Sequence, residues 1–144
     1  METRIKIDKV EPAGYQAVLG MEKFIESTNL TKTHKDLIKI RASQINGCAF
    51  CIDMHTKEAR KAGETEQRIY ALNAWKDTPF FSGEERVILA LTEEVTLIQN
   101  HVKKDTYAAA AAVLDEKYLA DVIMAIITIN VWNRIGITTQ LIPA

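Results

Sequence analysis

Two cysteines and a histidine are the residues of this chain best spaced for chemistry. Cys48, Cys51 and His55 stand in a C-x-x-C-x-x-x-H spacing within SQINGCAFCIDMHTKEARKAG, residues 43–63. Asn46-Gly47 is a turn signal, the residues after it suit a helix, and Gly63 is placed to end that helix at its C′ position. At about 100° per residue, Cys48 and His55 fall within about 20° of each other and Cys51 lies about 60° away, so the three share a stripe. Both sulfurs then sit in the first helical turn. Free backbone N–H groups and the helix dipole there favour a thiolate, the reactive form of cysteine. The imidazole of His55, whose ordinary pKa lies near neutrality, can take the proton of a thiol one turn away.

This set admits three chemistries. In a thiol–disulfide redox centre, one thiolate attacks an oxidant such as a peroxide, becomes a sulfenic acid, and condenses with its neighbour to a disulfide. In a metal site, His55 is a third ligand and His34 or His101 a fourth; structural zinc commonly draws on two cysteine pairs, and here there is one. In the third, both cysteines pack as inert small hydrophobes. The helix start and the co-facing histidine favour the redox centre. A thioredoxin-type scaffold does not fit, because the sequence before Cys48 reads as helix rather than strand.

Two carboxylates are candidates to orient His55. Asp36 shares a stripe with Ile40, Ser43 and Gly47 leading towards the cysteines. Glu94 lies between Leu91 and Ile98 and is expected to turn partly inward, where a buried carboxylate needs a partner. The competing roles are helix capping for Asp36 and an exposed stripe edge for Glu94. His34, at a helix start, and His101, at a helix end, read as surface residues outside the site.

Helices must position these groups. Residues 1–11 alternate loosely and are expected to form an extended arm. Pro12 suits a first helical turn, followed by Ala17, Val18, Met21, Phe24 and Ile25 at helical spacing. Thr33 with Asp36 resembles a capping box for a second helix that turns Leu37, Ile38 and Ile45 inward. Residues 65–76 read as a short helix with Ile69, Leu72 and Trp75 facing the core. Ser82 with Glu85 caps a helix whose stripe is Val87, Ile88, Leu91, Val95 and Ile98. The KKDTY segment starts another, with five alanines from Ala108 to Ala112 that pack closely and require no functional explanation. Asp115 caps the last helix, which Gly136 is expected to end. The fold class is all-α, with about six helices.

Composition narrows the function. The 144 residues suggest one domain; 18 basic against 19 acidic residues give a net charge of −1 with no basic patch, so nucleic acid is not an expected partner. The first residues lack an apolar signal core, and the most apolar run, Val122–Trp132, is short for a membrane span, so a cytoplasmic location is expected. A final helix apolar on nearly every side exceeds what one small protomer can cover, and a homo-oligomer is expected.

Four blocks in order resemble the carboxymuconolactone decarboxylase superfamily, specifically its alkylhydroperoxidase D-like branch: DLIKIRASQINGCAFCIDMHTKEARKAG (36–63), the spacer ending at Trp75, FSGEERVILALTEEVT (81–96) and INVWNRIG (129–136). The resemblance implies an all-helical protein assembling as dimers, trimers or hexamers, and hydroperoxide reduction without metal, haem or flavin. It implies Cys51 as the attacking thiolate, Cys48 as the resolving cysteine and His55 in a proton relay. The relay glutamate expected twelve residues before the first cysteine is Asp36 here, and a second histidine expected between the cysteines is Phe50; Glu94 is the substitute carboxylate to examine. Relatives are re-reduced by dithiols, including lipoyl-bearing proteins. The namesake decarboxylation belongs to members without the cysteine pair. A non-catalytic, oligomeric redox-sensing or binding protein on the same scaffold is the alternative.

Overall fold

The computed structural model describes residues 1–144 and is all-helical, with eight α-helices and two short 3₁₀ segments. In order they are α1 (Ile7–Val10), α2 (Pro12–Ser27), α3 (Lys32–Asn46), α4 (Ala49–Lys61), α5 (Glu66–Tyr70), α6 (Gly83–Thr96), α7 (Lys104–Val113) and α8 (Glu116–Thr139). The 3₁₀ segments are Leu72–Asp77 and Ile98–Asn100.

Helix α3 occupies the centre, touching α4, α6 and α8. It divides the apolar interior in two. Ile38 and Ala42 join Ile25, Ile88, Leu91, Val122, Ile126 and Ile129 in one cluster. Leu37 and Ile40 join Ala59, Leu72, Trp75, Phe81 and Leu89 in the other. A helix buried on both sides in this way must face apolar groups over most of its circumference.

The helix ends follow local chemistry. Pro12 starts α2, Asp115 accepts the Tyr118 N–H at the start of α8, and Ser82 and Glu85 form a full capping box on α6. Gly63 stands just past α4 at φ 97°, with its N–H on Arg60 and the next N–H on Ala59. Arg68 then ties α5 to α6 by hydrogen bonds to Glu64, Glu85 and the Phe80 carbonyl. The bonds to Glu85 push the guanidinium pKa upwards.

Several local expectations are corrected. Residues 7–10 of the N-terminal arm close a helical turn rather than running extended. The cap of α3 is Thr31, whose hydroxyl accepts the His34 N–H, not Thr33 with Asp36. Residues 65–76 break into α5 and a 3₁₀ segment kinked at Ala74. Helix α6 stops at Thr96, and Ile98 is exposed.

Helix α8 passes through Gly136 and ends at Gln140, which takes the left-handed conformation at φ 55°. Its 24 residues are long and apolar enough by length and composition to cross a membrane, whereas the run Val122–Trp132 alone is not. Half of its apolar window is buried inside the fold. There it carries Asn130 and Asn133, both satisfied by protein partners. Asn46 donates to both side-chain carbonyls at 2.9 Å, Asn133 donates to Ser43 Oγ, and Asn130 donates to Thr96 Oγ1. This polar seam fixes the C-terminal end of α3 against α8, and the cysteines follow directly from that end.

Candidate active site

The site begins where α3 stops. Gly47 adopts φ 71°, donates its N–H to Gln44 and lets the Cys48 N–H reach back to Ser43. A left-handed residue at this point lets the chain reverse while the last carbonyls of α3 keep donors, and glycine does this without a Cβ penalty. Cys48 is therefore the N-cap of α4, and its sulfur accepts the Cys51 N–H at 3.4 Å. Cys51 lies three residues on, in the first turn, and the two form a disulfide with a Cα–Cα distance of 5.3 Å.

Both sulfurs are shielded, Cys48 at 1% exposure and Cys51 at 3%. One wall is α8. A Cβ built on Gly136 would stand 3.1 Å from the Cys48 sulfur and 3.6 Å from that of Cys51. Glycine is needed there for close approach, not as a helix terminator. The other side is open: a cavity of about 1110 Å³ is lined by Cys51, His55 and residues of the arm, α2, α3, α4 and α8. Cys51 lines it and Cys48 does not. Its apolar wall includes Phe50, Met54, Leu19 and Trp132; its polar wall includes Glu22, Asp36, Lys39 and Glu58.

His55 is buried, with Nδ1 3.0 Å from Glu58 Oε2. Burial lowers its pKa, the Glu58 hydrogen bond opposes this, and the Lys39 charge adds to the lowering. The net direction leaves a neutral imidazole at pH 7, the form able to accept a proton. Lys39 is itself paired with Glu22 at 2.7 Å, and Glu22 accepts the Trp132 indole N–H.

The other candidates fall in different places. Asp36 is buried and lines the same cavity, but its carboxylate is paired with Lys32. Glu94 accepts the Lys103 N–H at 2.9 Å and the Thr106 hydroxyl at 2.8 Å, so it holds the start of α7 and does not line the cavity. His101 is exposed. His34 is not on the surface as expected: it is buried against Tyr118, with Nδ1 2.6 Å from the phenol oxygen. That contact joins residues 84 apart in the chain, beyond the reach of local pattern. No trio of His, Cys, Asp or Glu side chains is placed to hold a metal ion.

Glu58 was not among the sequence candidates. Its spacing of three from His55 is the signal for a contact on one helix face. Gly136 and Asn133 carried no such signal, since both act across helices.

A model of the carboxymuconolactone decarboxylase family matches residues 12–94, from the start of α2 into the last turn of α6. The chain belongs to this family. It is 46% identical over 138 residues to the uncharacterized protein YdfG of Bacillus subtilis, covering 95% of this chain and 94% of that one. A solved protein of unknown function from Agrobacterium tumefaciens, linked by name to AhpD antioxidant defence, is 35% identical, with TM-score 0.96 and 99% of each chain covered. The debrominase Bmp8 shares the fold, with TM-score 0.85 and 18% identity over 94% of this chain and 74% of its own.

Phe50 stands in the apolar wall where the resemblance implied a second histidine. Asp36, where the resemblance implied a relay glutamate, is held by Lys32 one helical turn before it.

Proposed function

We propose that the protein is a cysteine-dependent hydroperoxide reductase. The observation that carries this reading is the asymmetry of the pair: Cys51 lines the cavity with His55, and Cys48 lies behind it against α8.

In the reduced protein, His55 takes the Cys51 proton and the helix start stabilises the resulting thiolate. The thiolate attacks the terminal oxygen of a hydroperoxide and the O–O bond breaks. Cys51 becomes a sulfenic acid, and the leaving alkoxide takes a proton from the His55 imidazolium to depart as an alcohol. Cys48 then gives up its proton as its sulfur attacks that of Cys51, the S–O bond breaks, the departing hydroxide takes that proton and leaves as water, and the disulfide closes. A dithiol, of the lipoyl type or another, returns both thiols by exchange. Asp36, paired with Lys32, lines the same cavity. The reading includes assembly as a homo-oligomer.

Anaerobic titration of the reduced protein with an organic hydroperoxide tests the reading. Two thiols are expected to vanish with one equivalent of oxidant. Cys48→Ser is expected to retain the first oxidation and stop at a sulfenic acid. The reading is wrong if Cys51→Ser consumes hydroperoxide at the wild-type rate.

A further inference from the structure

The cavity holds more than one carboxylate, and their engagements separate them. Asp36 is matched by Lys32, Glu22 by Lys39 and Trp132, and Asp8 by Lys9. Glu58 alone reaches the imidazole, at 3.0 Å from Nδ1. It lies on α4 one turn beyond His55, and its side chain is 49% exposed and open to water while the imidazole is buried.

We infer that Glu58 is the positioning residue of His55: its carboxylate accepts the Nδ1–H and so leaves Nε2 as the nitrogen that takes the Cys51 proton. A neutral imidazole carries one N–H, and the acceptor beside one nitrogen decides which nitrogen keeps it. Glu58 also stabilises the imidazolium that forms when the thiol ionises, in the way a carboxylate behind a catalytic histidine does. The role of the relay carboxylate thereby passes from Asp36, on α3, to a residue on the same helix as the histidine.

This consequence for catalysis rests on the peroxidase reading; the tautomer does not. The charged groups facing His55 are Glu58 on its own helix, Lys39 on α3 and Glu22 on α2, the last two paired with each other. The same cavity is also lined by Lys6 and Asp8 of the arm, Glu26 of α2, Lys32, Lys35 and Asp36 of α3 and Lys61 of α4, and α8 contributes no charge to its lining.

The test uses the full chain, reduced, with nitrogen-15-labelled histidine. Long-range proton–nitrogen correlation reads the tautomer, with His55→Gln identifying the signal among three histidines. Wild type is expected to show the Nδ1–H form near pH 7. Glu58→Ala, a half-exposed change that leaves the core intact, is expected to shift His55 towards Nε2–H. Glu58→Gln retains a neutral acceptor and is expected to fall between them.

Alkylation of Cys51 by iodoacetamide across pH supplies the second reading. In Glu58→Ala the rate near pH 7 is expected to fall roughly tenfold and the profile to move to higher pH, because the thiolate loses its stabilised imidazolium partner. An unchanged tautomer in Glu58→Ala, or an unchanged alkylation profile, overturns the inference. If both shift while wild type reduces no hydroperoxide, the inference stands and the proposed function fails.

Discussion

Replacing Asn133 by alanine probes the seam that sets the cysteines in place. Asn133 is fully buried; it accepts from Asn46 and donates to Ser43. Losing two side-chain hydrogen bonds costs about 2 kcal/mol at a typical net value of about 1 kcal/mol each. Removing three heavy atoms leaves roughly 25 Å³, worth about 0.6 kcal/mol at about 24 cal/mol per Å³. Alanine recovers a similar amount, about 0.6 kcal/mol, through its better helix propensity. The net loss is about 2 kcal/mol. Urea unfolding followed by circular dichroism should therefore show the midpoint lowered by about 1 M at an unchanged slope near 2 kcal/mol/M. The melting temperature should fall by about 4–8 °C. Asn133→Asp keeps the shape but buries a charge in place of the donor to Ser43, and is expected to cost more, about 3 kcal/mol or above. A loss below about 0.5 kcal/mol for Asn133→Ala would show that the seam does not hold α3 to α8.

Gly136→Val directs extra methyl groups at the Cys48 sulfur, and is expected to destabilise the protein by about 2 kcal/mol or more; denaturant midpoints measure it. Acid should weaken the fold in two stages. His34 and His55 have pKa values lowered by burial, so below the ordinary value of 6.5 the unfolded chain binds more protons than the folded one and stability falls. Glu85 is opposed by burial but lowered overall by the Arg68 and Ser82 hydrogen bonds, so its contribution is present above its ordinary value of 4.5 and lost as pH drops through the folded value. Urea midpoints across pH check both stages, and a flat profile between about pH 7.5 and 5.5 would refute the first. Arg68→Met leaves Glu64 and Glu85 facing each other without their shared cation. It is expected to lower the thermal midpoint and to remove most of the second acid stage, measured by melting at neutral and acid pH.

What the sequence determined by itself was local. The helices, the Ser82, Asp115 and Gly63 ends, and the cysteine turn all follow from contacts within about four residues, where propensity and capping act. The C-x-x-C-x-x-x-H spacing placed three reactive groups on one helix before any packing was known.

Tertiary structure decided which sulfur meets the cavity, because that depends on α8 passing behind Cys48 at Gly136. It buried His34 under Tyr118 and took Glu94 to the start of α7, whereas the pairing of Asp36 with Lys32, four residues before it on α3, is local. Each carboxylate could have served the histidine as far as its position in the chain was concerned. Glu58 does so from the same helix one turn on, and Asp36 is held by a lysine of its own helix. Glu22 and Glu94 are held by the cation and N–H groups that folding brings to them, since a buried charge is held by its nearest compensating partner.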